Sequence, residues 1–156
     1  MDWIRLIASL LLCQAAGAIG GFFTARKIPT WYAGLVKPSF NPPSWVFGPV
    51  WTILYLLMGF AFYLIWVQVP STSGRNQALT FFLVQLALNA LWSYFFFGLQ
   101  KPWWGVTEMA FLWVAILLTL LSFFPLSAKA GWLLVPYLAW VTFAFALNLA
   151  IARLNP

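Results

Sequence analysis

Charged side chains in this chain stand only at the ends of long apolar runs, with Glu108 the single exception inside one. That arrangement constrains the fold more than any motif does. A soluble domain carries about a quarter charged residues, whereas here 6% of the 156 residues are charged and 64% are hydrophobic. Charge this sparse cannot cover a water-facing surface, so the chain must be solvated by lipid. The basic residues, net charge +6, are scattered singly and report topology; they do not form a nucleic-acid surface.

Five apolar runs are predicted as spans: 4–25, 44–69, 79–99, 103–124 and 132–154. Each is about long enough to cross a hydrocarbon core of roughly 30 Å at about 1.5 Å per residue. The connections after the first are short, so successive helices are expected side by side and antiparallel. The expected fold class is all-α integral membrane, five transmembrane helices in an up-and-down bundle, as a single domain over residues 1–156. No internal repeat points to an inverted-repeat transporter. The first run, with Arg5 ahead of an apolar core and small residues at Ala15 to Gly17, also has the look of a secretory signal. Its continuation through Phe22 and Phe23 favours a retained helix. Gly17 and Gly21 form a small-xxx-small pair that suits close helix approach.

The connection 26–43 is the long one, and with the start of the second span it reads WYAGLVKPSFNPPSWVFGPVW from Trp31 to Trp51. Pro42 and Pro43 stiffen it, and Trp31, Tyr32, Phe40 and Trp45 give it apolar surface to dock. It reads either as a folded lid or as an interfacial anchor of the kind Trp and Tyr build at headgroup level. An odd number of spans puts Arg26, Lys27, Lys37, Lys101 and Arg153 on the lid side and Arg5, Arg75 and Lys129 on the other. The positive-inside rule then makes the first loop and C-terminus cytoplasmic and the N-terminus external.

Polar residues within the spans need partners. Gln85, Asn89 and Trp92 share one face of the third helix, Trp51 and Tyr55 one face of the second, and Trp140, Ala144 and Asn148 a stripe of the fifth. Each can serve as interhelical hydrogen-bond glue, at about 0.6 kcal/mol per pair. Yet Trp51, Glu108, Asn148 and Trp92 all fall roughly five to seven residues in from the lid-side ends, about 8 to 11 Å, with Asn89 a turn deeper. Convergence at one depth is how a pocket is built between helices. Its indoles suit a flat, largely apolar, conjugated ligand, with anionic tails reaching the lid-side cations; a tetrapyrrole with two propionates fits. With no His, and the lone Cys13 at mid-depth elsewhere, no metal site or intramolecular disulfide is expected, and a metal-free porphyrin suits better than a ligated haem.

KPSFNPPSWVFGPVWTILY (37–55), QLALNALWSYFFFG (85–98) and PYLAWVTFAFALN (136–148) together resemble the TspO/MBR family, the tryptophan-rich sensory and translocator proteins once called peripheral benzodiazepine receptors. The resemblance covers nearly the whole chain. It implies a five-helix membrane protein, commonly a homodimer, that binds porphyrins such as protoporphyrin IX. The family's pocket positions carry over to Tyr32, Pro42, Trp51, Asn89, Trp92, Trp140, Ala144 and Leu147, and its acidic fourth-helix position to Glu108. The sterol-recognition segment of animal members has no counterpart in LNLAIAR (147–153), which lacks the tyrosine. No conventional catalytic constellation is present. Some relatives degrade protoporphyrin IX in light and oxygen, and that chemistry would here fall to Trp51 and Trp140 by electron transfer to the excited macrocycle. Tetrapyrrole transport is the other alternative to simple binding. The compact loops suggest a bacterial cell envelope.

Overall fold

The computed structural model describes all 156 residues and contains no strand. Five helices carry the chain: α1 (Trp3–Ala25), α2 (Phe47–Gln68), α3 (Ser73–Ser93), α4 (Pro102–Phe123) and α5 (Ala128–Leu154). All five are long and apolar enough to cross a membrane. Helices are the natural outcome, because in hydrocarbon every backbone group must find its partner within the protein.

The helix starts are set by polar caps. The side chains of Asp2, Thr72 and Ser127 accept the backbone N–H of Arg5, Arg75 and Ala130. Pro102 opens α4, where a missing N–H costs nothing. As a result α3 begins at Ser73, not Leu79, and α5 at Ala128, not Trp132. Apolar runs mark the part of a helix that sits in lipid, while these capped first turns are polar. Pro136 consequently lies inside α5 and not in its first turns.

The helices close into a ring in the order α1, α2, α5, α4, α3 and back to α1. Successive helices are therefore neighbours with one exception. α2 and α3, although joined by a short turn, are not adjacent in the ring and touch sparingly across its middle. The turn pins only their shared end: Arg75 reaches the carbonyls of Trp66 and Val69 and the hydroxyl of Ser71, and Phe62 meets Phe82 at 4.9 Å between ring centroids. Toward the lid the two helices separate.

α1 fills the gap between them because it is narrow. Gly59 of α2 lies against its backbone, so that a Cβ there would fall 2.9 Å from Leu10 Cα and 3.0 Å from the Ser9 carbonyl oxygen. Gly17 makes the close approach expected of it, with the Tyr55 ring only 2.5 Å from where its Cβ would stand. Gly21 does not; a Cβ there meets nothing within 4 Å. Beyond Ser93, α3 continues as one π-helical turn, Tyr94–Gly98, closed by Leu99 N–H donating to the Tyr94 carbonyl at 2.8 Å. The wider turn lets the consecutive rings of Phe96 and Phe97 both be buried.

Backbone contact at Gly59 cannot yield as a side chain can. Gly59→Ala should lower the apparent melting temperature in detergent, at a cost of about 1–3 kcal/mol. Gly74→Ala, where the nearest atom to the added methyl is 3.9 Å away, should leave it unchanged or raise it.

Candidate functional site

Where α2 and α3 part, a cavity of about 580 Å³ opens beneath the first loop, walled by α1, α2, α3, the π turn and α5. Its volume falls within the roughly 300–1,000 Å³ of small-molecule sites. The lining is aromatic: Phe47, Trp51 and Tyr55 from α2, Trp92 from α3, Phe96 and Phe97 from the π turn, and Trp140 from α5. Trp51 stacks on Tyr55 at 5.6 Å, Trp92 on Phe96 at 5.4 Å, and Phe47 meets Trp140 edge-on at 6.1 Å.

At the cavity floor a hydrogen-bonded chain ties three helices. The Tyr55 hydroxyl donates to Asn89 Oδ1, Asn89 Nδ2 donates to the Tyr137 hydroxyl at 2.8 Å, and that hydroxyl donates to Gln85 Oε1 at 2.9 Å. Tyr55, Asn89, Tyr137 and Gln85 are all buried. Here the polar side chains are glue, as their helical spacing allowed. Above the floor the pattern reverses. The indole N–H groups of Trp92 and Trp140 and both amide atoms of Asn148 are buried without a partner, and all three residues line the cavity. A buried polar atom without a hydrogen bond is costly, and three residues so placed around one space form a polar rim awaiting a polar occupant.

The first loop forms the roof, docked on the π turn. Trp31 packs on Phe96 and Phe97 at 5.4 and 6.2 Å, and the buried Tyr32 on Phe97 at 5.7 Å. Tyr32 donates its hydroxyl proton to Asn41 Oδ1 at 2.8 Å. Burial raises the Tyr32 pKa above the ordinary phenol value, so this contact contributes fully below about pH 10 and is lost only as pH climbs through the raised value. Lys37 is bound into the lid, bonded to the Ala33 and Leu35 carbonyls and lying 4.8 Å over the Tyr32 ring. The chain's one salt bridge joins Arg5 to Asp2 at the far end. Arg26, Lys27, Lys101 and Arg153 thus have no carboxylate partner and leave the lid side positive.

Of the residues anticipated from sequence, Tyr32, Trp51, Asn89, Trp92, Trp140, Ala144, Leu147 and Asn148 border the cavity. Two, Pro42 and Glu108, are not among its lining residues. Pro42 sits half-buried in the lid, its carbonyl accepting from Asn41 Nδ2. Glu108 is buried, 7% exposed, with both carboxyl oxygens unpartnered, and lies behind the wall. The reason is the ring order: α4 packs on α3 and α5 and reaches only the back of the lining, where a Cβ on Gly105 would fall 2.8 Å from the Phe96 ring and 3.2 Å from Asn148 Nδ2. Phe96, Phe97 and the α1 wall were not anticipated, since the π turn breaks the helical count and α1 contributes small residues without chemical signature. Tyr55 was visible one turn beyond Trp51 on the same face.

Tyr137 is the hub of the floor. Tyr137→Phe removes two buried hydrogen bonds and strands the Asn89 amide and the Gln85 carbonyl, so unfolding in detergent should become easier by about 1–3 kcal/mol. Tyr63→Phe, which removes a single partly buried bond from the Asp2 N–H at the other end, should cost about half as much or less.

Comparison with known proteins accords with this architecture. The family model described as TspO/MBR matches residues 9–154. The tryptophan-rich protein TspO of Archaeoglobus fulgidus is 48% identical over 155 residues, covering 99% of each chain. The tryptophan-rich sensory protein of Cereibacter sphaeroides is 39% identical over 99% of this chain and 94% of its own. The human translocator protein is 36% identical over 98% of this chain and 91% of its own. A five-helix membrane bundle with a lidded aromatic cavity, matched along nearly its whole length, belongs to the TspO/MBR family.

Proposed function

We propose that this protein is a membrane receptor for porphyrins, taking a protoporphyrin IX-like tetrapyrrole into the cavity beneath the lid. The observation that carries this reading is the pairing of indole and phenyl walls with unsatisfied polar atoms on Trp92, Trp140 and Asn148. A planar conjugated macrocycle stacks on the walls. Its carboxylates, the only strongly polar part, accept hydrogen bonds from the indole and amide N–H groups or turn toward the uncompensated cations of the lid side. No metal ligand is required of the protein, and no His, Cys, Asp or Glu group is assembled to hold an ion. Homodimer formation and a cytoplasmic lid belong to the same proposal, the latter supported by five of the eight basic residues lying on the lid side.

A light-dependent role is favoured by one specific observation: Trp51 and Trp140 both border the cavity, where an excited macrocycle could exchange an electron with either. New absorption bands that form only on illumination in oxygen, and that fail to form in Trp51→Phe, Trp140→Phe, support this second reading. Bleaching at an equal rate in the double variant eliminates it.

Binding itself is read from tryptophan fluorescence in the dark. Protoporphyrin IX should quench it saturably, and Trp51→Ala or Asn148→Leu should each weaken the apparent Kd about tenfold, or about 1.4 kcal/mol. Quenching that never saturates, or that both variants leave untouched, contradicts the receptor reading.

A further inference from the structure

At the end of the bundle away from the lid, α2 and α5 leave a groove between them. Phe60, Leu64 and Gln68 of α2 face Lys129, Trp132 and Leu133 of α5 around about 640 Å³ of open space. Their spacings, i, i+4, i+8 on one helix and i, i+3, i+4 on the other, put each set on a single helical face. Polarity changes along the groove. Gln68, the last residue of α2, and Lys129, the second of α5, form its mouth, while Phe60, Leu64 and Leu133 line the part that runs toward the middle of the bilayer. From mouth to far end is about two helical turns, or about 12 Å. Two of the walls are held by neighbouring rings: Phe60 stacks on Tyr63 at 6.1 Å, and Trp132 meets Phe124 edge-on at 5.5 Å. Trp132, 66% exposed, stands between the polar mouth and the apolar part, the position an indole takes at headgroup level.

Of the three cationic side chains at this end, two are already engaged. Arg5 is paired with Asp2, and Arg75 binds the carbonyls of Trp66 and Val69 and the hydroxyl of Ser71 in the turn between α2 and α3. Lys129 is exposed, and no carboxylate of the chain serves it. The first turn of α5 holds no acidic residue, and the chain's two acids are Asp2, already paired, and Glu108, buried in another helix. An unmatched ammonium above an apolar furrow is complementary to a molecule with an anionic head and a hydrocarbon tail. We infer that the groove is a site for an anionic phospholipid, with its phosphate at Lys129, the Gln68 amide donating alongside, and one acyl chain along Phe60, Leu64 and Leu133. A free phosphate would satisfy the lysine and leave the furrow empty, so the occupant is the lipid. Lodged there, it bridges α2 and α5 at an end where no loop joins them, and binding only the folded chain it stabilises the bundle. The site does not depend on what the cavity beneath the lid binds.

The test follows thermal unfolding of the full-length protein in an uncharged detergent as phosphatidylglycerol, or phosphatidylcholine with the same acyl chains, is added. Phosphatidylglycerol should raise the midpoint saturably, with an apparent affinity about fivefold above that of phosphatidylcholine. Lys129→Gln should abolish this preference, Lys129→Arg should keep it, and Lys101→Gln at the lid end should leave it as in the wild type. Both lysines are exposed, so the variants fold. Equal action of the two lipids on the wild type, or a preference that survives Lys129→Gln, overturns the site. So does inorganic phosphate that reproduces the whole effect, which would mean an anion bound without a lipid. Location is read separately, from quenching of tryptophan fluorescence by phosphatidylglycerol with brominated acyl chains. Trp132→Phe should remove the part of that quenching which saturates together with the shift in midpoint; if that part is unchanged, the lipid lies elsewhere and the groove is overturned.

Discussion

The hydrogen-bonded chain from Tyr55 through Asn89 and Tyr137 to Gln85 is the interaction on which the arrangement turns. α2 and α3 are consecutive in sequence yet opposite one another in the ring, so packing along their lengths cannot hold them together. In hydrocarbon there is no hydrophobic drive between helices, and association depends on close packing and on polar groups that have nowhere else to bond. The chain supplies that bond at mid-depth. Below it the bundle is filled by Met58, Phe62, Ile65, Phe82 and Phe123; above it the helices are free to part. Tyr55 and Asn89 serve both purposes, lining the cavity and belonging to the clamp of the bundle.

Two kinds of glycine then divide the α1 seam. Gly59 and Gly17 are sites of contact, where a methyl would meet Leu10, Ser9 or Tyr55, and they draw α1 and α2 together on the far side. Gly21 and Gly48 are sites of absence, small where nothing presses on them. The outer surface is apolar almost throughout, with Ile4, Phe22, Phe111 and Trp132 among its most exposed side chains.

The fold was legible because lipid imposes a simple rule, and the apolar runs with their terminal charges state it directly. Helix starts were less so: Thr72 and Ser127 cap turns too polar to be read as spans. Order around the ring was not legible at all, because helices apolar on every side carry almost no directional pattern, and the shortness of the α2 to α3 turn argued for the wrong neighbour. That single unknown decides the fate of Glu108. Depth along the chain put it level with Trp51 and Asn148, but α4 stands behind α3 and α5, and the carboxyl lies buried beyond the wall. Trp51, Trp92 and Asn148 were visible as indoles and an amide at a common level, and Trp140 as part of the α5 stripe, while Gly17 and Gly21 showed only that something could come near.

The central claim is that the space framed by α1, α2, α3 and α5 is where a porphyrin lodges. Thiol protection tests it most directly. In a Cys13→Ala background, a cysteine placed at Ala144, which lines the cavity, is compared with one at Ala110, exposed on the outer face of α4, for reaction with a small membrane-permeant thiol reagent. Saturating protoporphyrin IX should shield the cysteine at 144 and leave the one at 110 reactive. Equal labelling of both positions with and without the porphyrin would contradict the account.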